Sequence, residues 1–152
     1  MNLTQILQLN CIKIPLDGKD KQSAITELVD VLDVNHFLTD KISALDAVMQ
    51  LERTRSTGIG SGIAIPHGKC SAVKELVMAL GITKQPIDFE SIDGKPVRII
   101  LLLISPLNQS GPHIQALAKI SRLMLDDLFK SKLEKCASPA QAYELIHKKE
   151  TE

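Results

Sequence analysis

The sequence predicts a single α/β domain, a mixed and mostly parallel sheet with helices on both faces. The run Val97 to Ile104, VRIILLLI, is apolar throughout, which suits a central strand covered on both sides and not one with a wet face. Segments with apolar residues at i, i+3 and i+4 are interspersed with it and with two further extended stretches, the pattern of helices packed on a sheet. A chain of 152 residues is long enough for one compact unit with a real core and too short for two. Aromatic residues make up only 3%, so that core must be aliphatic.

Taken in order, Leu3, Ile6, Leu7 and Leu9 space as a helical turn or two. Cys11-Ile12-Lys13-Ile14 alternates as a first strand, ended by Pro15 and the Asp17-Gly18 turn. Asp20 is placed to cap a helix through Ala24, Ile25, Leu28, Val29 and Leu32. Thr39 or Asp40 caps a second helix, expected to bury Ile42, Leu45, Ala47, Val48, Met49 and Leu51 and to finish before a glycine-rich stretch. Glu75 to Thr83 reads as a buried strand interrupted by Pro86 to Asp88, and Asp93-Gly94 turns the chain into the central strand, which Ser105-Pro106 ends.

Ser110-Gly111-Pro112 opens a helix with proline in its first turn and His113, Ala116, Leu117, Ile120 and Met124 on one face. Asp126 to Lys135 reads as further helix. Ser138-Pro139-Ala140-Gln141 is a capping-box pattern that opens a last helix through Tyr143, Leu145 and Ile146, and the charged tail KKETE is expected to fray.

Composition excludes several functions. Lys and Arg number 18 and Asp and Glu 18, so there is no electrostatic footprint for nucleic acid or an anionic membrane. So few aromatics leave no stacking platform for single strands. Cys11, Cys70 and Cys136 are far apart and form no zinc-ligand spacing, which reads as reduced thiols in a cytoplasmic protein with no metal and no cofactor. The start, MNLTQILQLN, lacks the basic residues and long apolar run of a signal peptide, and Ile99 to Ile104 is too short to span a bilayer.

The chemistry points to RTRSTGIGSGIAIPHGK, residues 53–69. Gly58, Gly60 and Gly62 permit positive φ and close backbone approach. A P-loop is excluded because five residues separate Gly62 from Gly68-Lys69 and Cys70 follows. The dinucleotide pattern fails at Ile63-Ala64-Ile65. Pro66 pushes Ile65 toward extended geometry, so His67 follows a strand end, with Gly68 after it and Arg53, Arg55 and Lys69 nearby. An imidazole there, with a reference pKa of about 6.5, can attack a phosphoryl group. His113 falls at a helix N-terminus, where an anion is favoured, although a local packing role fits that position equally well. His36, between two helices, and His147, in a charged terminal segment, read as solvated. Ile59, Ile63 and Ile65 are either a docking rim or core.

STGIGSGIAIPHGK, together with PIDFESIDGKPVRIILLLISP and HIQALAKISRLM, resembles the enzyme IIA domains of the fructose/mannitol class of the bacterial phosphoenolpyruvate-dependent phosphotransferase system. GIAIPHGK and the DGKPV turn are most similar to the nitrogen-regulatory branch. The resemblance covers nearly the whole chain and implies that residues 1–152 are one IIA type-2 domain. It implies that His67 accepts a phosphoryl group from an HPr-like phosphocarrier, and that His113 is the second active-site histidine, bonding the phosphoryl oxygens. The family places an arginine sixteen residues before the phosphorylated histidine. Here that position is Leu51, which leaves Arg53 and Arg55 as candidates to supply the charge. The partners implied beyond the donor are a IIB domain or regulatory targets such as transporters and sensor kinases. The alternative is a regulatory binding module, phosphate-independent or switched by phosphorylation, with transfer impaired by Leu51.

Overall fold

The computed structural model describes residues 1–152. A single 3-10 turn, Leu3–Gln5, leads into strand β1 (Leu7–Leu16), followed by helices α1 (Lys21–Val34) and α2 (Lys41–Thr54). Three short strands come next: β2 (Gly58–Gly60), β3 (Ile63–Ala64) and β4 (His67–Lys69). Two long strands, β5 (Val77–Ile87) and β6 (Val97–Ser105), precede α3 (Ser110–Leu123), α4 (Asp127–Glu134) and α5 (Pro139–Glu150). The six strands form one mixed sheet in the order β1-β5-β6-β3-β2, with β4 also on β6. Pairings β1/β5, β3/β6 and β4/β6 are parallel, whereas β5/β6 and β2/β3 are antiparallel.

As its uniform apolarity predicts, β6 is the central strand. Every residue of it except Arg98 is buried, so both faces are covered, and α1, α3 and α4 all reach it. Its free edge pairs first with β3, Ile63 opposite Ile99, and then with β4, His67 opposite Leu103. The break between the two falls at Ile65-Pro66, where proline has no N–H to give to the ladder. Pairing resumes because the Pro66 carbonyl accepts the Leu103 N–H at 3.0 Å. This interrupted strand carries His67 to the carboxyl end of β6.

The helix starts follow the local chemistry. Asp20 accepts the Ser23 N–H, Asp40 (not Thr39) accepts that of Ser43, and Asp126 and Ser138 cap α4 and α5. At the last cap, Gln141 reaches back to the Ala137 N–H and not to Ser138, so the reciprocal arm of the expected capping box is shifted by one residue.

Four expectations are corrected. Leu7 and Leu9 lie in β1 and not in a helical turn, and the strand runs on through Pro15, which an edge strand tolerates with its side exposed. Likewise β5 continues through Pro86, because the ladder to β6 is irregular between Ile82 and Ile87 and demands no N–H there. Ile42 is 72% exposed, since the buried stripe of α2 is Ala44, Val48, Met49 and Glu52, a face that Ile42 does not share. The tail does not fray. α5 extends to Glu150, whose carboxylate is fully buried and accepts the N–H groups of Leu3 and Thr4. No helix is long and apolar enough to cross a membrane.

Candidate functional site

β4 presents its three residues to two neighbours. Gly68 faces α2 so closely that a Cβ there would lie 3.1 Å from the backbone of Ala47 and Val48. Alternation along the strand therefore sends His67 and Lys69 to the opposite side. There they meet the first turn of α3, where His113 is buried, and the two imidazole rings lie 5.3 Å apart between centroids, tilted by 60°. His67 begins a strand and does not occupy a loop, so its backbone is held by the sheet.

Hydrogen bonds assign the ring nitrogens. His67 Nδ1 is 2.7 Å from the Ile65 carbonyl oxygen. A carbonyl only accepts, so Nδ1 carries the proton and the neutral ring keeps its lone pair on Nε2. His113 Nδ1 is 2.7 Å from Ser105 Oγ, in a fully buried pair position where the hydroxyl has no other partner. The hydroxyl therefore donates to Nδ1, which leaves Nε2–H of His113 as the free donor. Burial lowers the His113 pKa to about 4, with smaller contributions from the charges of His67 and Lys69, so at neutral pH it is an uncharged donor.

Lys69 Nζ donates to Ser110 Oγ at 2.8 Å and pairs with no carboxylate. Arg53 and Arg55 are brought together at the end of α2, in a cleft that neither histidine lines. They line this cleft, of about 340 Å³, with Lys21, Glu52 and Glu90 and form no hydrogen bond to either histidine. Helical geometry explains Arg53: two residues beyond Leu51, it lies some 200° around α2 from it. Ile63 and Ile65 are core, and only Ile59 is exposed. His36 and His147 are exposed, and the His147 ring stacks on Tyr143. No group of three His, Cys, Asp or Glu side chains is arranged to hold a metal ion.

The sequence reading missed Ser105, Ser110 and Glu52. Ser105 and Ser110 act across gaps that no local pattern encodes. Glu52 is buried, accepts the N–H and hydroxyl of Thr57 and pairs with Lys21 at 3.1 Å, so it anchors the start of the glycine-rich segment. A carboxylate on the buried stripe of α2 was its only signal.

Residues 5–149 match the family model described as phosphoenolpyruvate-dependent sugar phosphotransferase system, EIIA 2. The chain is 34% identical over 146 residues to a nitrogen regulatory protein of Bradyrhizobium diazoefficiens, covering 96% of this chain and 95% of that one. It is 32% identical over 147 residues to the fructose-specific EIIABC component of Bacillus subtilis, covering 97% of this chain but only 23% of that longer protein. The crystal structure of nitrogen regulatory protein IIA-Ntr from Neisseria meningitidis superimposes with a TM-score of 0.88 at 27% identity, covering 95% and 98% of the two chains. The complex of enzyme IIAMTL and phosphorylated enzyme IIBMTL from Escherichia coli contains a chain that matches with a TM-score of 0.79, covering 93% and 99%, and at 18% identity that likeness is one of fold.

Proposed function

The chain belongs to the EIIA 2 family of the phosphoenolpyruvate-dependent sugar phosphotransferase system, and on that premise we propose that His67 is its phosphorylated residue. As a member, it is a phosphotransferase component that carries a phosphoryl group on histidine. The observation that carries the assignment to His67 is the bond from Nδ1 to the Ile65 carbonyl, because it fixes the ring and leaves the Nε2 lone pair beside His113. Residues 1–152 act as one IIA type-2 domain, in the cytoplasm, where the free cysteines suit a reducing environment.

In the proposed reaction, Nε2 of His67 attacks the phosphorus of a phosphohistidine on an HPr-like carrier. The new N–P bond forms in line as the donor's N–P bond breaks, and that electron pair returns to the donor imidazole. The His67 ring keeps its Nδ1–H and becomes a phosphoimidazolium, while the donor ring leaves that same protonated state as a neutral imidazole, so no proton has to move. His113 donates Nε2–H to an equatorial phosphoryl oxygen, and its neutral state means that it does so without repelling a second imidazole by charge. The protein's part is therefore positioning and electrostatic stabilisation.

Onward transfer to a IIB domain is the first reading of the product, since a IIA fold of the same kind is known in complex with a phosphorylated IIB. A regulatory role is the second, supported by nearly full-length similarity to a nitrogen regulatory protein. Onward transfer and a phosphorylation-switched regulatory role use the same phosphorylated state, whereas a phosphate-independent regulatory role needs none. Incubation with phosphoenolpyruvate, enzyme I and an HPr-like carrier is expected to add one acid-labile phosphoryl group to the wild-type mass and none to His67→Ala. Absence of any gain with a competent donor would refute the carrier reading.

A further inference from the structure

We propose that Lys69, pinned by Ser110, supplies the positive charge that meets the phosphoryl group on His67. The inference rests on the phosphocarrier reading above and names a binding residue for that same reaction. A phosphoryl group on Nε2 brings about two negative charges into the site. The single positive charge of the phosphorylated His67 ring offsets these only in part and the neutral His113 does not offset them, so a further cation is called for.

Geometry selects Lys69. His67 and Lys69 are two apart on β4, about 7 Å along the strand and on one side of it, the side away from α2. Ser110 and His113 are three apart on the first turn of α3, so they share a face. The bond from Lys69 Nζ to Ser110 Oγ, at 2.8 Å, therefore closes the same gap that the two imidazoles span. The charge of Lys69 also registers at His113, where it helps to disfavour a proton.

Chemistry separates this lysine from those whose ammonium groups the fold pairs with carboxylates. Lys13, Lys21, Lys41, Lys119, Lys130 and Lys149 each pair with a carboxylate. Lys69 is held by a neutral hydroxyl, which fixes its position without cancelling its charge and uses one of its three donors. Two N–H bonds remain for phosphoryl oxygens. The rival cations have acidic company: Arg53 and Arg55 line a cleft at the end of α2 with Glu52 and Glu90, and neither histidine lines it. Leu51, at the position where the resemblance implies an arginine, brings no charge.

The test compares wild type, Lys69→Met and Lys69→Arg, each checked for unchanged thermal melting. The rate of labelling by the phosphorylated HPr-like carrier is measured at subsaturating donor. The second ionisation of the phosphohistidine is followed by phosphorus NMR against pH. Lys69→Met is expected to label about 10- to 100-fold more slowly and to shift the phosphoryl ionisation upward, whereas Lys69→Arg restores both. A merely structural lysine would leave that ionisation where it is. If wild type and Lys69→Met label equally fast with the same ionisation, Lys69 has no such role and the carrier reading stands. If an Arg53→Ala/Arg55→Ala variant loses labelling while Lys69→Met keeps it, the charge belongs to the arginines. Failure of wild type to label at all removes both proposals together.

Discussion

Two hydrogen bonds decide the site at the scale of the residue. Ser105 and the Ile65 carbonyl hold the two imidazoles in opposite roles, one as donor through Nε2–H and the other as nucleophile through its Nε2 lone pair. The depressed pKa of His113 has a consequence for stability. The unfolded chain takes a proton near pH 6.5, whereas the folded site resists it until about pH 4. Between those values the unfolded state binds more protons, so stability falls as pH falls across that window and levels off below it. Urea unfolding from pH 7 to pH 4 is expected to show this slope, and His113→Gln is expected to flatten its share of it. An equal slope in the variant would mean that carboxylates alone set the acid response. The sequence pointed to both histidines, but it was silent on Ser105, whose residue type is common and whose contact is not local.

The working element is β4, only three residues long and supported on three sides by β6, α2 and α3. Its contact with α2 depends on Gly68, where a Cβ would press on the Ala47–Val48 backbone at 3.1 Å. Backbone gives way less readily than a side-chain tip, so Gly68→Ala is expected to cost about 1–3 kcal/mol in urea unfolding and to slow His67 labelling. A variant as stable and as active as wild type would show that α2 can move aside freely. Helix elements were legible because caps are local: Asp20, Asp40, Asp126 and Ser138 each satisfy an N–H two or three residues on. Strand ends were less so. Pro15 and Pro86 read as breakers, yet one lies on the sheet edge and the other in an irregular stretch, where the missing N–H has no partner to lose.

For the whole molecule, the two ends of the described chain are joined. The buried Glu150 carboxylate accepts from Leu3 and Thr4, while the Thr4 hydroxyl reaches it as well. Charge-assisted bonds of this kind are worth about 1.5–3 kcal/mol each at most, and they tie α5 to the entry of β1. Glu150→Ala is therefore expected to lower stability and to raise amide exchange at residues 3–7 while leaving His67 labelling in place. Unchanged exchange there would mean that packing alone holds the N-terminal turn. By itself the sequence determined the class of fold, the central strand, the helix starts and the histidine pair, because periodicity, capping and the resemblance all rest on residues close together in the chain. Only the tertiary structure decided where the charges go. It set Arg53 and Arg55 in a cleft with Lys21 and Glu90, pinned Lys69 to Ser110 and turned Glu150 inward, since each of these depends on which elements are neighbours in the fold. Contacts between residues 41 or 147 positions apart leave no periodic trace for a sequence reading to find.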